Sequence, residues 1–270
     1  MTMRRLAILL AGLAGFAAPV AVQAEGLPSQ VAAVTVLPGW RMPDGHQMAA
    51  LRLVLAPGWH TYWRSPGDAG IPPQVTWAGS RNVAGATFLW PVPEVFDSGG
   101  MRTIGYTNQV VIPVKVTLPQ AGPARLQGTL DIGVCQDVCM PVSLDFAADL
   151  PDQPKRDAVI LGAMLDQPLS ADDAKVRGVT CRTTPAGDRL RLTAQISMPS
   201  AGAPENVVIE AGDPRVWVSE PVTHRDGGVL TATAEMAPPA GEPLMLDRSS
   251  LRITVLGRDE AVDITGCTGG

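Results

Sequence analysis

Four cysteines carry most of the reactive chemistry in this 270-residue chain: Cys135, Cys139, Cys181 and Cys267. Only Gln136-Asp137-Val138 separates the first two, so a bond between them closes a ring of about five residues, which the chain-entropy model credits with roughly 2 kcal/mol. That is a weak structural return. Four residues of extended strand would hold the two Cα atoms roughly 13 Å apart, whereas a disulfide tolerates about 4.4–6.8 Å, so the intervening residues must fold back as a turn. A short, bent ring reduces and re-forms more easily than an unstrained staple. The pair therefore suits thiol–disulfide exchange, in which a reachable thiolate attacks a disulfide sulfur and a second cysteine resolves the mixed disulfide. No Lys or Arg lies within four residues of Cys139, and Asp137 between the cysteines disfavours a thiolate. The expected nucleophile is thus an unactivated thiol whose direction of exchange is set by its partner.

Other readings of the pair stay open on spacing alone. It could be a hairpin disulfide without a chemical role. It could also form a Cu(I) site of a copper-tolerance protein, with Cys135, Cys139 and Met140 as soft ligands and one nitrogen from His46, His60 or His224. A cysteine hydrolase would need a histidine partner and an oxyanion hole, for which there is no local signature. Cys181 and Cys267 differ: joined, they close a loop of about 87 residues, worth roughly 4.6 kcal/mol, and read as a structural staple.

Such staples need an oxidising compartment. Arg4 and Arg5 precede the uncharged run Leu6 to Val22, and Val22-Gln23-Ala24 supplies small residues before Glu25, so residues 1–24 read as a cleaved secretory signal peptide. Periplasmic localisation follows as the expectation. Losing Arg4 and Arg5 takes the net charge from −5 to −7, an acidic, Lys-poor balance that argues against nucleic-acid or anionic-membrane partners. No later stretch has the roughly 18 uncharged apolar residues a membrane helix needs, so no membrane insertion is expected.

The elements that must position the cysteines are strands. Short β-branched runs punctuated by Gly, Pro, Asn and Asp recur, and helical periodicity is scarce, so the fold class is all-β. Strands are predicted near Val31–Leu37, Gln47–Leu55, Gln74–Trp77, Val110–Leu118, Leu126–Gly133 and Val142–Leu150. Pro57 to Gly105 is instead weakly patterned and rich in Pro, Gly and aromatics, including Trp59, Trp63, Trp77 and Trp90, which read as packing residues. Leu150-Pro151-Asp152-Gln153-Pro154 reads as a linker, followed by a short helix over Lys155 to Leu165. About seven further strands follow, among them Arg189–Met198, Asn206–Glu210, Val216–Ser219, Val229–Glu235 and Leu251–Leu256. His224 is expected in a turn, and Arg64 and Asp68 to pair or cap locally around a Ser-Pro-Gly turn. The organisation is then two immunoglobulin-like β-sandwich domains, 25–150 and 171–270, joined by linker and helix at 151–170.

Four segments taken together carry a family resemblance: Gly58-Trp59-His60-Thr61-Tyr62-Trp63-Arg64-Ser65-Pro66-Gly67-Asp68-Ala69-Gly70-Ile71-Pro72-Pro73, Trp90-Pro91-Val92-Pro93-Glu94, Ile104-Gly105-Tyr106 and Cys135-Gln136-Asp137-Val138-Cys139-Met140-Pro141. Over roughly residues 30–150 the chain resembles the N-terminal periplasmic domain of DsbD-type thiol:disulfide interchange proteins, particularly the ScsB-like branch. The resemblance implies an exposed cysteine pair that relays electrons without a cofactor. They would come from a separate membrane thiol reductase of the CcdA or DsbD kind and pass to thioredoxin-fold periplasmic proteins. By position Cys139 is the cysteine of the mixed disulfide and Cys135 its resolving partner, with Tyr62 beside the pair. His60 would share Tyr62's face in a strand. Where better-known members carry a shielding Phe-Tyr loop, this chain has Asp97-Ser98-Gly99-Gly100-Met101, so shielding falls to Phe96 or Met101.

Overall fold

A computed structural model describes residues 30–67, 69–98, 101–153, 155–240, 242 and 246–270. The expected signal peptide, residues 1–24, and Asp68, Gly99 and Gly100 lie outside the described residues. Among the described residues no helix is long and apolar enough to cross a membrane.

The described residues are all-β, with one well-formed short helix. Ten strands precede that helix: β1 (Ala32–Arg41), β2 (Gln47–Leu55), β3 (His60–Gly67), β4 (Gln74–Thr76), β5 (Gly85–Phe88), β6 (Glu94–Ser98), β7 (Met101–Thr107), β8 (Gln109–Thr117), β9 (Ala124–Cys135) and β10 (Cys139–Leu150). They form one sheet in the order β1-β2-β8-β5 and a second in the order β10-β9-β3-β7-β6, with β4 added to β9. The long β9–β10 hairpin shows how the sequence dictates this. Val142, Leu144 and Phe146 of β10 point inward with Leu126, Leu130 and Ile132 of β9, while Ser143 and Asp145 face water. That period of two is the signature of a strand with one wet face. Leu51, Leu53 and Val114 of the other sheet close on the same core, and Trp63 is fully buried in it.

The helix α1 (Ala158–Leu165) is shorter than predicted, because Asp157 caps it and accepts the backbone N–H groups of Val159 and Ile160 at 2.8 and 3.2 Å. Ile160 docks it against Trp40, Met48 and Ala50.

Ten further strands follow: β11 (Leu169–Ser170), β12 (Gly178–Ala186), β13 (Arg189–Ser197), β14 (Asn206–Glu210), β15 (Trp217–Val218), β16 (Val222–Asp226), β17 (Val229–Ala237), β18 (Arg252–Leu256), β19 (Ala261–Thr265) and β20 (Thr268–Gly269). One sheet runs β11-β19-β18-β14, the other β15-β17-β13-β12-β20, with β16 on β17. Leu192, Ile196, Leu230, Met236 and Ile253 form the core between them. Val208, Leu256 and Ala261 instead join the core of the N-terminal half, so the two halves meet through apolar contacts.

Two expectations are corrected. The stretch from Pro57 to Gly105 is not an irregular segment: it holds β3 and β5 to β7 as well as the expected β4. These strands escape a pattern search because buried polar residues break the alternation; Thr61 is buried and donates its hydroxyl to the Gly133 carbonyl at 2.8 Å. His224 lies within β16, opposite Thr231 of β17, and the turn falls after it at Gly227.

Cys181 of β12 is bonded to Cys267, with Cα atoms 5.8 Å apart, and the residues after Cys267 lie alongside β12 as β20. Replacing both with serine should lower the unfolding free energy by about 2–5 kcal/mol, measured by urea denaturation, with the native near-UV spectrum retained in the absence of denaturant.

Candidate functional site

Cys135 ends β9 and Cys139 begins β10, and the two are register partners across the hairpin. They are bonded, with Cα atoms 4.1 Å apart, and Gln136-Asp137-Val138 make the reversal. The sulfurs are not equivalent. Cys135 is buried, at 1% exposure, whereas Cys139 is exposed at the start of its strand beside the projecting Val138, at 69%. An attacking thiolate can reach only the outer sulfur, Cys139.

β3 lies antiparallel to β9 on the side away from β10, which places His60 opposite Cys135 and Thr61 opposite Val134. Tyr62, two residues along, shares His60's face. Its ring occupies a slot that only glycines permit. A Cβ at Gly133 would come within 2.9 Å of the ring carbons Cδ2 and Cε2, and one at Gly70 within 2.9 Å of Cδ1. In that slot the buried Tyr62 donates its hydroxyl to Cys135 Sγ at 2.7 Å and lies 3.2 Å from Cys139 Sγ. Burial raises the pKa of Tyr62 and so keeps the phenol protonated as a donor.

The outer layer is aromatic. The His60 ring meets Tyr62 edge-on at 5.7 Å and Phe96 of β6 at 5.1 Å. His60, Tyr62 and Phe96 thus form a continuous row leading to the disulfide. Met101 opens β7 and is 52% exposed. Burial lowers the pKa of His60, so the imidazole stays neutral below its usual range.

Of the alternative copper ligands, Cys135 and Cys139 are bonded to each other and His60 lies opposite Cys135. Met140 follows Cys139 in β10, and its side chain packs against the core of the N-terminal half while Cys139 faces out. Among the described residues no group of three or more His, Cys, Asp or Glu side chains could hold a metal ion. His46 sits against Asp44, and His224 belongs to the C-terminal half.

Arg64 corrects a further expectation. It does not cap a local turn: its guanidinium lies 3.8 Å over the Trp63 ring, pairs with Glu210 at 3.0 Å and bonds Thr254 Oγ1 at 3.0 Å. Asp68, its expected neighbour, lies outside the described residues. Gly133 and Gly70 were missed as site residues, although an isolated glycine inside a strand pattern signals a close approach and could have marked Gly133.

The site is therefore an asymmetric disulfide at a hairpin tip, backed by a buried tyrosine donor. Residues 27–151, a little under half of the chain, match the family described as thiol:disulfide interchange protein DsbD, N-terminal. The match supports thiol–disulfide interchange as the class of chemistry. Among solved structures, the N-terminal periplasmic domain of ScsB from Proteus mirabilis is similar in fold, with a TM-score of 0.63 and 23% identity over 88% of this chain and 92% of that one. No curated protein matches.

Two outcomes follow from the packing around Tyr62. Gly133→Ala should cost about 1–3 kcal/mol in chemical denaturation, because the new methyl overlaps the ring and Ile71. The pKa depression of His60 fixes the sign of a pH effect. Between the folded-state pKa and the ordinary value of 6.5 the unfolded chain binds more protons at this residue, so its contribution is present above 6.5 and is lost as pH falls. Stability should therefore drop less between pH 7 and 5 in His60→Gln than in the parent chain, as read from urea midpoints.

Proposed function

We propose that the chain is a periplasmic thiol–disulfide exchange module that relays electrons from a separate membrane thiol reductase to thioredoxin-fold proteins through Cys135 and Cys139. The observation that carries this reading is the unequal exposure of the two bonded sulfurs, one buried and one open. In the reduced form the Cys139 thiolate attacks a partner disulfide, forming a mixed disulfide and releasing the partner's other sulfur as a thiolate. Cys135 then attacks Cys139 Sγ, the partner leaves as a dithiol, and the Cys135–Cys139 bond re-forms; two electrons have moved to the partner. Reduction by the donor runs the same steps backwards: a donor thiolate attacks Cys139, and Cys135 leaves as the thiolate. Tyr62 is placed to help there, because its hydroxyl can hydrogen-bond the Cys135 sulfur as charge develops on it.

Phe96 and His60 would cover the pair, and Met101 and Val138 would meet a docking partner. The periplasmic location is supported by the leader pattern of residues 1–24 and by the origin of the ScsB structure. Two sheets around a separate core in each half support reading residues 25–150 and 171–270 as two immunoglobulin-like sandwich domains.

The test is a redox titration of the protein in glutathione or dithiothreitol buffers, with alkylation and mass spectrometry assigning each cysteine. Cys135–Cys139 is expected to titrate reversibly at a higher potential than Cys181–Cys267, whose Cys181 is fully buried. Cys135→Ser should accumulate a mixed disulfide with thioredoxin through Cys139, and Cys139→Ser should not. Equal resistance of both disulfides to reduction would refute the relay. Tyr62→Phe should raise the pKa of the thiol it contacts, seen as slower alkylation at neutral pH, with little change in stability.

A further inference from the structure

β14 is the outermost strand of its sheet and is hydrogen-bonded to β18 on one side only. Its central residues Val207, Val208 and Ile209 are buried, yet among the described residues no backbone or side-chain hydrogen bond reaches them from the other side. On that side lies a cleft of about 650 Å³, lined in unbroken succession by residues 206–212. A strand that offers a cavity its face contributes every second residue. Consecutive residues mean that the edge, with its alternate N–H and C=O groups, looks into the space. The opposite wall belongs to the N-terminal half: Ser65, Pro66 and Gly67 of β3, and Ile104 of β7. Trp217, itself 48% exposed, also lines the cleft.

The charges on these walls are already matched. Arg64 pairs with Glu210 at 3.0 Å, Arg102 with Glu220 at 2.6 Å, Arg215 with Asp213 at 2.8 Å, and Arg252 with Asp263. A charged ligand would be desolvated there without a counter-charge, which is costly. A neutral peptide backbone has what the site lacks: donors and acceptors at strand spacing for an edge that needs both.

We propose that this cleft binds an extended, uncharged peptide segment of a partner protein, which adds as a strand to the free edge of β14. The five residues of β14 match a segment of similar length, at roughly 3.3 Å per residue. The proposal does not rest on the cysteine chemistry. β3 links the two places, because it runs from His60 beside the disulfide to Gly67 in the cleft wall.

The test uses the isotope-labelled full chain and a pool of capped hexapeptides alternating Thr with Val, Leu or Phe, followed by amide NMR. The expected result is a shift and slowed exchange of the amides of Asn206–Glu210. The same peptides N-methylated at alternate residues, which keeps the side chains but removes the ladder bonds, should bind at least about tenfold more weakly. Peptides with Glu or Lys in place of Thr should also bind more weakly. Unmoved β14 amides, equal binding of the N-methylated pool, or shifts confined to the cysteine hairpin would each overturn the proposal.

Discussion

The structure depends on a reversal of the chain within three residues. Because Cys135 and Cys139 are bonded across Gln136-Asp137-Val138, the strands leaving the turn must pair in the register that sets the two cysteines opposite each other. A slip of one residue would turn Val142, Leu144 and Phe146 out to solvent, so the buried side chains enforce the same register that the bond requires. Redox geometry and hydrophobic packing therefore select one arrangement of the β9–β10 hairpin.

The hairpin's other neighbour, β3, gives the site its chemistry. Its pairing with β9 puts His60 beside Cys135, and the slot at Gly133 and Gly70 lets Tyr62 lie flat enough to reach the sulfur. The resulting environment is aromatic and carries no cation against either sulfur among the described residues. In that setting the Tyr62 hydroxyl backs the buried sulfur while the outer one stays open, as the proposed exchange requires.

The same strand connects the halves. Arg64 leaves β3 to pair with Glu210, and Arg102 of the adjacent β7 pairs with Glu220, while Val208, Leu256 and Ala261 extend the core of the N-terminal half. Apolar burial supplies most of such an attachment, and the partly buried ion pairs fix its orientation more than they strengthen it. Among the described residues no strand of the C-terminal half pairs with the outer edge of β14, which is left facing the gap.

Much of this was legible in the residues. The spacing of the cysteines separated a bent pair from a long-loop staple, the Gln47–Leu55 and Asn206–Glu210 strands match β2 and β14 end to end, and the WHTYWRSPG and CQDVCMP segments identified the family. Alternation and loop closure are local properties, so a one-dimensional pattern records them. Tertiary structure alone decided the rest. It made β3 and β5 to β7 strands where buried polar groups and prolines hide the period, drew Arg64 to a glutamate 146 positions away, and buried one sulfur while leaving the other exposed. Those outcomes depend on which surfaces meet across the two sheets, and pairings at such sequence separation leave no periodic trace in the chain.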